Sequence, residues 1–182
     1  MRHNINLPVE PSDLTKLNIK DIVYLDGLII TARDQAHKRI IDSYEKKGGV
    51  PEFFEIIKGC AIYHCGPIIK ECNDDYEVIS AGPTTSQRMD RLENQVVKLL
   101  DIRFIIGKGG MRNLKTKANK VVYLSFTGGC GAIVNKFVKH VENVEWLDLG
   151  KCESVWFLKV KNFGPLIVAQ DVHGKVIYNF QS

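Results

Sequence analysis

No uninterrupted apolar run in the sequence is longer than a few residues, whereas a bilayer-spanning helix needs about 20. Residues 1–10, MRHNINLPVE, contain no apolar stretch of the kind that directs secretion, so a cytoplasmic chain with no membrane association is expected. Cysteine is scarce and odd in number, with Cys60, Cys65, Cys72, Cys130 and Cys152 making five, and no two stand in a CxxC pair. An odd count argues against a closed disulfide framework and for free thiols in a reducing compartment. The spacing Cys60-x4-Cys65-x6-Cys72 matches neither zinc-site nor ferredoxin-type patterns, so no metal ligand is assigned to this chain. A charge excess of one sign is nearly absent: 25 Lys and Arg stand against 21 Asp and Glu, a net +4 dispersed along the chain. Without a basic block a nucleic-acid partner is not expected, although a preference for small anions is allowed. What is present is ordinary globular material, 182 residues with 45% apolar and 25% charged side chains. A chain of that size buries roughly 70% of its unfolded surface and needs no covalent staple. No repeat or long linker divides it, so one domain over residues 1–182 is expected.

Residues Asp21 to Thr31 form a β-branched run interrupted by Asp26-Gly27, a dipeptide common in tight turns, and read as a strand pair. Arg33 to Lys47 lacks Gly and Pro and sets Ala36, Ile40, Ile41 and Tyr44 on one side, which predicts a helix ending at Gly48-Gly49. Short strands are expected at Ala61–His64 and Glu77–Ala81, then a helix from an N-cap at Thr85 to Leu100. Buried strands at Ile102–Ile106 and Val121–Phe126 end in glycine-rich turns, with helix candidates at Asn113–Ala118 and Ala132–His140. The recurrence of strand, turn and helix implies an α/β fold whose parallel or mixed sheet carries crossover helices. The C-terminal part is β-rich, with strands expected at Ser154–Lys161, Leu166–Asp171 and Val176–Phe180.

Three polar constellations fall at strand-to-helix turns, where α/β sheets place their ligands. The first runs from Thr31 to His37 and includes Arg33 and Asp34; alone it also reads as the decorated first turn of a helix. The second, Ser80 to Asp90 with Gly82-Pro83-Thr84-Thr85-Ser86-Gln87-Arg88 at its centre, offers hydroxyls, backbone N–H groups and an arginine to a carboxylate or phosphate, or is a plain loop with an N-cap. The third, Gly107-Lys108-Gly109-Gly110-Met111, combines close backbone approach with a mobile cation. Its spacing is not that of a P-loop. It imitates the Ile-Ile-Gly-x-x-Gly loop of KH RNA-binding domains, but a KH loop joins two helices and here an apolar β-branched run precedes it.

The ordered set Thr-x-Arg-Asp-x-x-His (Thr31 to His37), His-x-Gly-Pro-Ile (His64 to Ile68), Gly-Pro-Thr-Thr-x-x-Arg-Met (Gly82 to Met89), Gly-Lys-Gly-Gly-Met (Gly107 to Met111) and Phe-Gly-Pro-Leu-Ile-Val (Phe163 to Val168) closely resembles one family. It is that of the β-subunit, or C-terminal domain, of class I iron–sulfur fumarate hydratases and L-tartrate dehydratases, and the resemblance spans nearly the whole chain. It implies a swivelling β/β/α domain and a partner α-subunit that holds a [4Fe-4S] cluster, the two chains assembling as a higher oligomer of heterodimers. It implies reversible hydration of fumarate to (S)-malate, active only with that α-subunit, with L-tartrate dehydration or a non-catalytic dicarboxylate-binding module as alternatives. Carried over by position, Arg33, Arg88 and Lys108 hold the substrate carboxylates and Thr84 abstracts the carbon-bound proton. Asp34, His37 and Thr85 support them.

Overall fold

A computed structural model describes residues 1–73 and 75–180. In chain order the elements are β1 (Arg2–Asn6), β2 (Ile22–Thr31), α1 (Asp34–Lys47), β3 (Ala61–Tyr63), β4 (Ile68–Cys72), β5 (Asp75–Ser80), α2 (Glu93–Leu100), β6 (Phe104–Gly107), α3 (Thr116–Asn119), β7 (Val122–Ser125), α4 (Gly131–Val134), β8 (Val138–Glu145) and β9 (Val155–Gln170). The expected α/β fold with a mixed sheet, crossover helices and a β-rich C-terminal part is what forms. Strands β1, β2, β3, β6 and β7 lie parallel in that order, and β9 and β8 complete the sheet antiparallel. β9 pairs with β2 as well as β7, which closes β2, β3, β6, β7 and β9 into a ring. The hairpin β4–β5 stands apart as a two-stranded sheet.

The short parallel strands are buried on both faces, so their side chains alternate between two cores and no polar face is needed. Ala61, Tyr63, Phe104, Ile106, Val122 and Leu124 join Trp156 and Phe163 in one core. Their neighbours Ile62, Ile105 and Tyr123 face the other, against Ile40 of α1 and Val96 of α2. Each fully buried Ile or Phe contributes roughly 1.5–3 kcal/mol relative to exposure. α1 takes the expected apolar stripe and ends at Gly48, whose N–H bonds the Tyr44 carbonyl.

Several expectations are corrected. Asp21–Thr31 is not a strand pair but the single strand β2, because Asp26-Gly27 sits at register shifts and not at a turn. The Leu7 N–H bonds the Asp26 carbonyl at 2.8 Å, and a Cβ on Gly27 (φ +122°) would lie 2.8 Å from the Leu7 carbonyl oxygen. The helix expected from Thr85 to Leu100 is broken: a short 3-10 turn, Ser86–Arg88, precedes α2, and Thr85 makes no side-chain cap bond. Asn113–Ala118 contracts to the single turn α3, pinned by Asn94, which accepts from Lys115 N and the Asn119 side chain. Ala132–His140 yields only α4, after which β8 pairs with β9. Two C-terminal strands merge into β9, which carries Pro165 at a register shift where no ladder N–H is required. Val176–Phe180 is not a strand; Val176 makes one bridge to Gln170, and Tyr178 and Phe180 pack over Gly110. Strands β1, β4 and β8 are additional to those expected.

Candidate functional site

The C-terminal ends of β2, β3, β6 and β7 meet along one edge of the sheet; the first and third constellations start there, after β2 and β6, and the second follows β5 of the separate hairpin and is laid against that edge. Backbone bonds tie them together. His64, just past β3, accepts from Thr84 N at 2.8 Å; Lys108, just past β6, accepts from Ser86 N at 3.0 Å, and Thr85 bridges Lys108 in parallel fashion. The Lys108 side chain reaches towards the turn after β7, where a Cβ on Gly128 would lie 3.8 Å from Nζ. Arg33, Asp34, Thr84 and Lys108 are half-buried and Thr85 and Arg88 exposed, so these groups line an open ledge.

Arg88 reaches back to α1, with Nη2 2.8 Å from Asp34 Oδ2 and Nε donating to Oδ1 at 3.3 Å. That side-on pairing occupies one edge of the guanidinium and leaves Nη1 for a second carboxylate. Arg33 lies over Gly66, where a Cβ would come within 2.4 Å of Nη1, and its Nε is 3.5 Å from Glu153 Oε1 without forming a hydrogen bond. Among the described residues no carboxylate pairs with Lys108. Thr31 does not face the ledge, since its buried hydroxyl accepts from Trp156 N at 3.1 Å and locks the end of β2 to β9.

Beneath the ledge runs a buried polar chain. His37 Nε2 and His64 Nε2 lie 2.9 and 3.0 Å from the same oxygen, Glu93 Oε2, and all three side chains are 0% exposed. His64 Nδ1 contacts Ser86 Oγ at 2.9 Å, Ser86 Oγ contacts the Tyr123 hydroxyl at 2.8 Å, and Gly110 N donates to that hydroxyl at 3.3 Å. At the other end His37 Nδ1 donates to the Arg33 carbonyl at 2.8 Å. Gly107 is required here: a Cβ would lie 2.0 Å from Ser86 Oγ and 3.2 Å from His64 Nδ1.

Nearly the whole chain, residues 1–181, matches the family model described as "Fumarase C-terminus". The chain belongs to the fumarase C-terminus family. Within it, a protein of Methanocaldococcus jannaschii provisionally named L(+)-tartrate dehydratase subunit beta is 50% identical over 91% of this chain and 86% of its own length. The L(+)-tartrate dehydratase subunit beta of Escherichia coli is 37% identical over 96% of this chain and 85% of its own length. A provisionally named class I fumarate hydratase of Geobacillus stearothermophilus is 34% identical over 96% of this chain, which spans 33% of that longer protein.

In this member of the fumarase C-terminus family burial penalises ionisation at Glu93, yet the two imidazoles outweigh it and hold the carboxyl well below its ordinary range. Burial likewise disfavours a charged His37, but the Glu93 carboxylate prevails and raises its pKa. Burial raises the Tyr123 pKa, so that side chain is a neutral hydrogen-bonding phenol. The cysteines do not fit a cluster: all five are free, and among the described residues no set of three brings its sulfurs together. The KH-like reading of Gly107–Gly110 is set aside, because β6 and not a helix precedes it. No described helix is long and apolar enough to cross a membrane.

The structure thus brings Arg33, Asp34, Thr84, Thr85, Arg88 and Lys108 to one ledge, and it turns His37 inward beneath them. Sequence reasoning missed His64, Ser86, Glu93 and Tyr123 as a unit. His64 and Ser86 stood inside recognised motifs, but Glu93 looks like a solvated helix residue and Tyr123 like plain strand core.

Proposed function

We propose that this chain is the β-subunit of a hydro-lyase that interconverts fumarate and (S)-malate, working with an α-subunit. The single observation that supports the reading best is the ledge, where two guanidinium groups, one ammonium and a hydroxyl stand on three separate loops that backbone contacts tie together. A C4 dicarboxylate needs cationic donors at both ends, and arginine offers a carboxylate two parallel hydrogen bonds. Arg33 and Arg88 bind the carboxylates in this reading, with Asp34 holding the Arg88 plane and Lys108 adding a point charge. Thr84 Oγ1 takes the carbon-bound proton during dehydration. A neutral hydroxyl is too weak a base, so in this reading Thr84 acts as an alkoxide whose own proton has gone to solvent; the Lys108 ammonium, tied to the next residue by the Thr85 bridge, stabilises that negative charge until the incoming carbon-bound proton restores the hydroxyl. Thr85 keeps that bridge in register. The [4Fe-4S] cluster that the family resemblance assigns to the α-subunit would supply Lewis-acid help to the departing hydroxyl.

A second reading, dehydration of L(+)-tartrate, is favoured by the tartrate dehydratase relatives. The two substrates differ by one hydroxyl, and leaving a buried polar group unpaired costs roughly 1–3 kcal/mol. Anaerobic co-purification with a candidate α-subunit, cluster reconstitution and parallel assays of both acids test the proposal. Fumarate formed from (S)-malate only in the mixture supports it. Turnover of tartrate alone moves the assignment to the second reading, and a stable complex inert to both acids overturns the hydro-lyase reading.

A further inference from the structure

The buried chain beneath the ledge can be resolved proton by proton. Gly110 N–H donates to the Tyr123 oxygen, so the Tyr123 proton must go to its other partner, Ser86 Oγ. Ser86 then gives its own proton to His64 Nδ1, and in this direction every hydroxyl proton has an acceptor. With Nδ1 accepting, the His64 proton sits on Nε2 and is donated to Glu93 Oε2. From the other end, the Arg33 carbonyl has no proton to offer, so His37 Nδ1 donates to it. His37 Nε2 meets the same Glu93 oxygen that already accepts from His64; two imidazoles on that one oxygen hold the carboxyl ionised, so it has no proton of its own to give and His37 Nε2 donates as well. Both nitrogens of His37 therefore carry protons.

We infer that His37 and Glu93 form a fully buried imidazolium–carboxylate pair, with His64 neutral, that acts as a positioning device for the loops carrying Arg33, Thr84 and Lys108. The triad is neutral overall, which a site with no solvent access requires. Glu93 Oε1 is buried without a hydrogen bond, so the carboxylate is held through Oε2 by the two imidazoles alone. Three ledge residues hang on the chain by their backbone: Arg33 by its carbonyl on His37, Thr84 by its N–H on the His64 carbonyl, and Lys108 by its carbonyl, which accepts from Ser86 N. Removing one proton would leave acceptor facing acceptor and free all three loops together. The lowered Glu93 and raised His37 pKa values run in the same direction. The three ligand atoms also lie within 4.8 Å of one another, so a divalent cation is the competing occupant of the triad. The positioning role rests on the proposed anion-binding ledge, whereas the protonation pattern does not.

The test uses the full chain labelled with 15N at histidine. Near neutral pH, NMR is expected to find both His37 nitrogens protonated and one proton on His64, and a neutral His37 overturns the ion pair. In Glu93→Gln, amide exchange at Thr84, Ser86 and Gly110 should rise about tenfold or more while Ile105 and Leu124 keep their protection. Unchanged exchange overturns the positioning role. Should that variant fail to fold, Ser86→Ala deletes only the relay hydroxyl and should raise exchange at Ser86 and Gly110, with unchanged exchange again counting against it. Elemental analysis finding one transition-metal ion per chain would replace the ion pair with a metal site. In the complex, Glu93→Gln should lower kcat about tenfold with little change in KM, because the ledge survives but is less well ordered. A wild-type complex inert to both acids would sink the hydro-lyase reading and leave the NMR result standing.

Discussion

Replacing Gly107 by alanine asks whether the buried chain depends on the glycine at which an added methyl group would meet its nearest neighbour most closely. The new methyl group would stand 2.0 Å from Ser86 Oγ, 3.1 Å from the Tyr123 hydroxyl and 3.2 Å from His64 Nδ1. The Ser86 side chain must leave, and overpacking of this kind costs about 1–3 kcal/mol. His64 Nδ1 and Tyr123 then lose a partner in a dry interior, which adds about 1–3 kcal/mol. A destabilisation of about 3 kcal/mol is expected, a large share of the roughly 5–15 kcal/mol that holds a typical domain. For a chain of this length that corresponds to a fall in Tm of roughly 6–12 °C. Urea titration of four proteins, wild type, Gly107→Ala, Ser86→Ala and the double variant, measures it. If the cost arises from the Ser86 hydroxyl, adding Gly107→Ala to a Ser86→Ala background should cost less than about 1 kcal/mol, giving a coupling of about 2 kcal/mol. Additive losses in the double variant, or an unaltered single variant, would refute the reasoning.

Other outcomes follow from the same geometry. Arg88→Ala removes an exposed ion pair with Asp34 and should change stability by less than about 1 kcal/mol, while turnover of the reconstituted complex falls about 10- to 100-fold; near-normal activity would remove Arg88 from the ledge's function. The stability that Glu93→Gln loses should depend on pH. The Glu93 pKa is depressed, so its contribution is present above the unfolded value, roughly 4.3, and fades as pH falls through the folded one. The His37 pKa is raised, so its contribution is complete below roughly 6.5 and fades as pH rises through the folded value. The gap in Tm between wild type and variant should therefore be widest between those limits and narrow on both sides; a flat difference refutes the pair. Thiol labelling should reach Cys152, which is exposed, first, while Cys60, its pKa pushed up to about 11 by burial, and Cys65 react only on unfolding.

The parallel strands were readable because Ala61–Tyr63, Phe104–Gly107 and Val122–Ser125 are short, β-branched or aromatic and bounded by glycine or polar turns. β8 was hidden by its own irregularity. Val138, Val141 and Val144 recur every third residue, which mimics a helix, because register shifts at Val138/His140 and Val141/Asn143 each insert an extra residue into the strand. β9 was divided at Gly164-Pro165, where local chemistry suggests a turn, but pairing on both sides carries the strand through. At the site, the cations were legible since arginine and lysine at strand-to-helix turns have few structural duties. The triad was not, because the burial of Glu93 is set by His64, 29 residues earlier, and by His37, 56 residues earlier.

The ring of strands has a consequence for how the chain is made. Ile22 in β2 pairs with Ile167 in β9, and Tyr123 in β7 pairs with Gln170, so the ring is joined by the last described strand to leave the ribosome. Until then β2 and β7 both present unsatisfied backbone edges, and Thr31 lacks the Trp156 amide that fixes the approach to Arg33. Loop closure over such separations is slow, in the range of milliseconds to seconds. A nascent chain stalled before Val155 would thus carry every ledge residue without the strand that locks the end of β2, with two sticky edges open to a neighbouring copy or a chaperone.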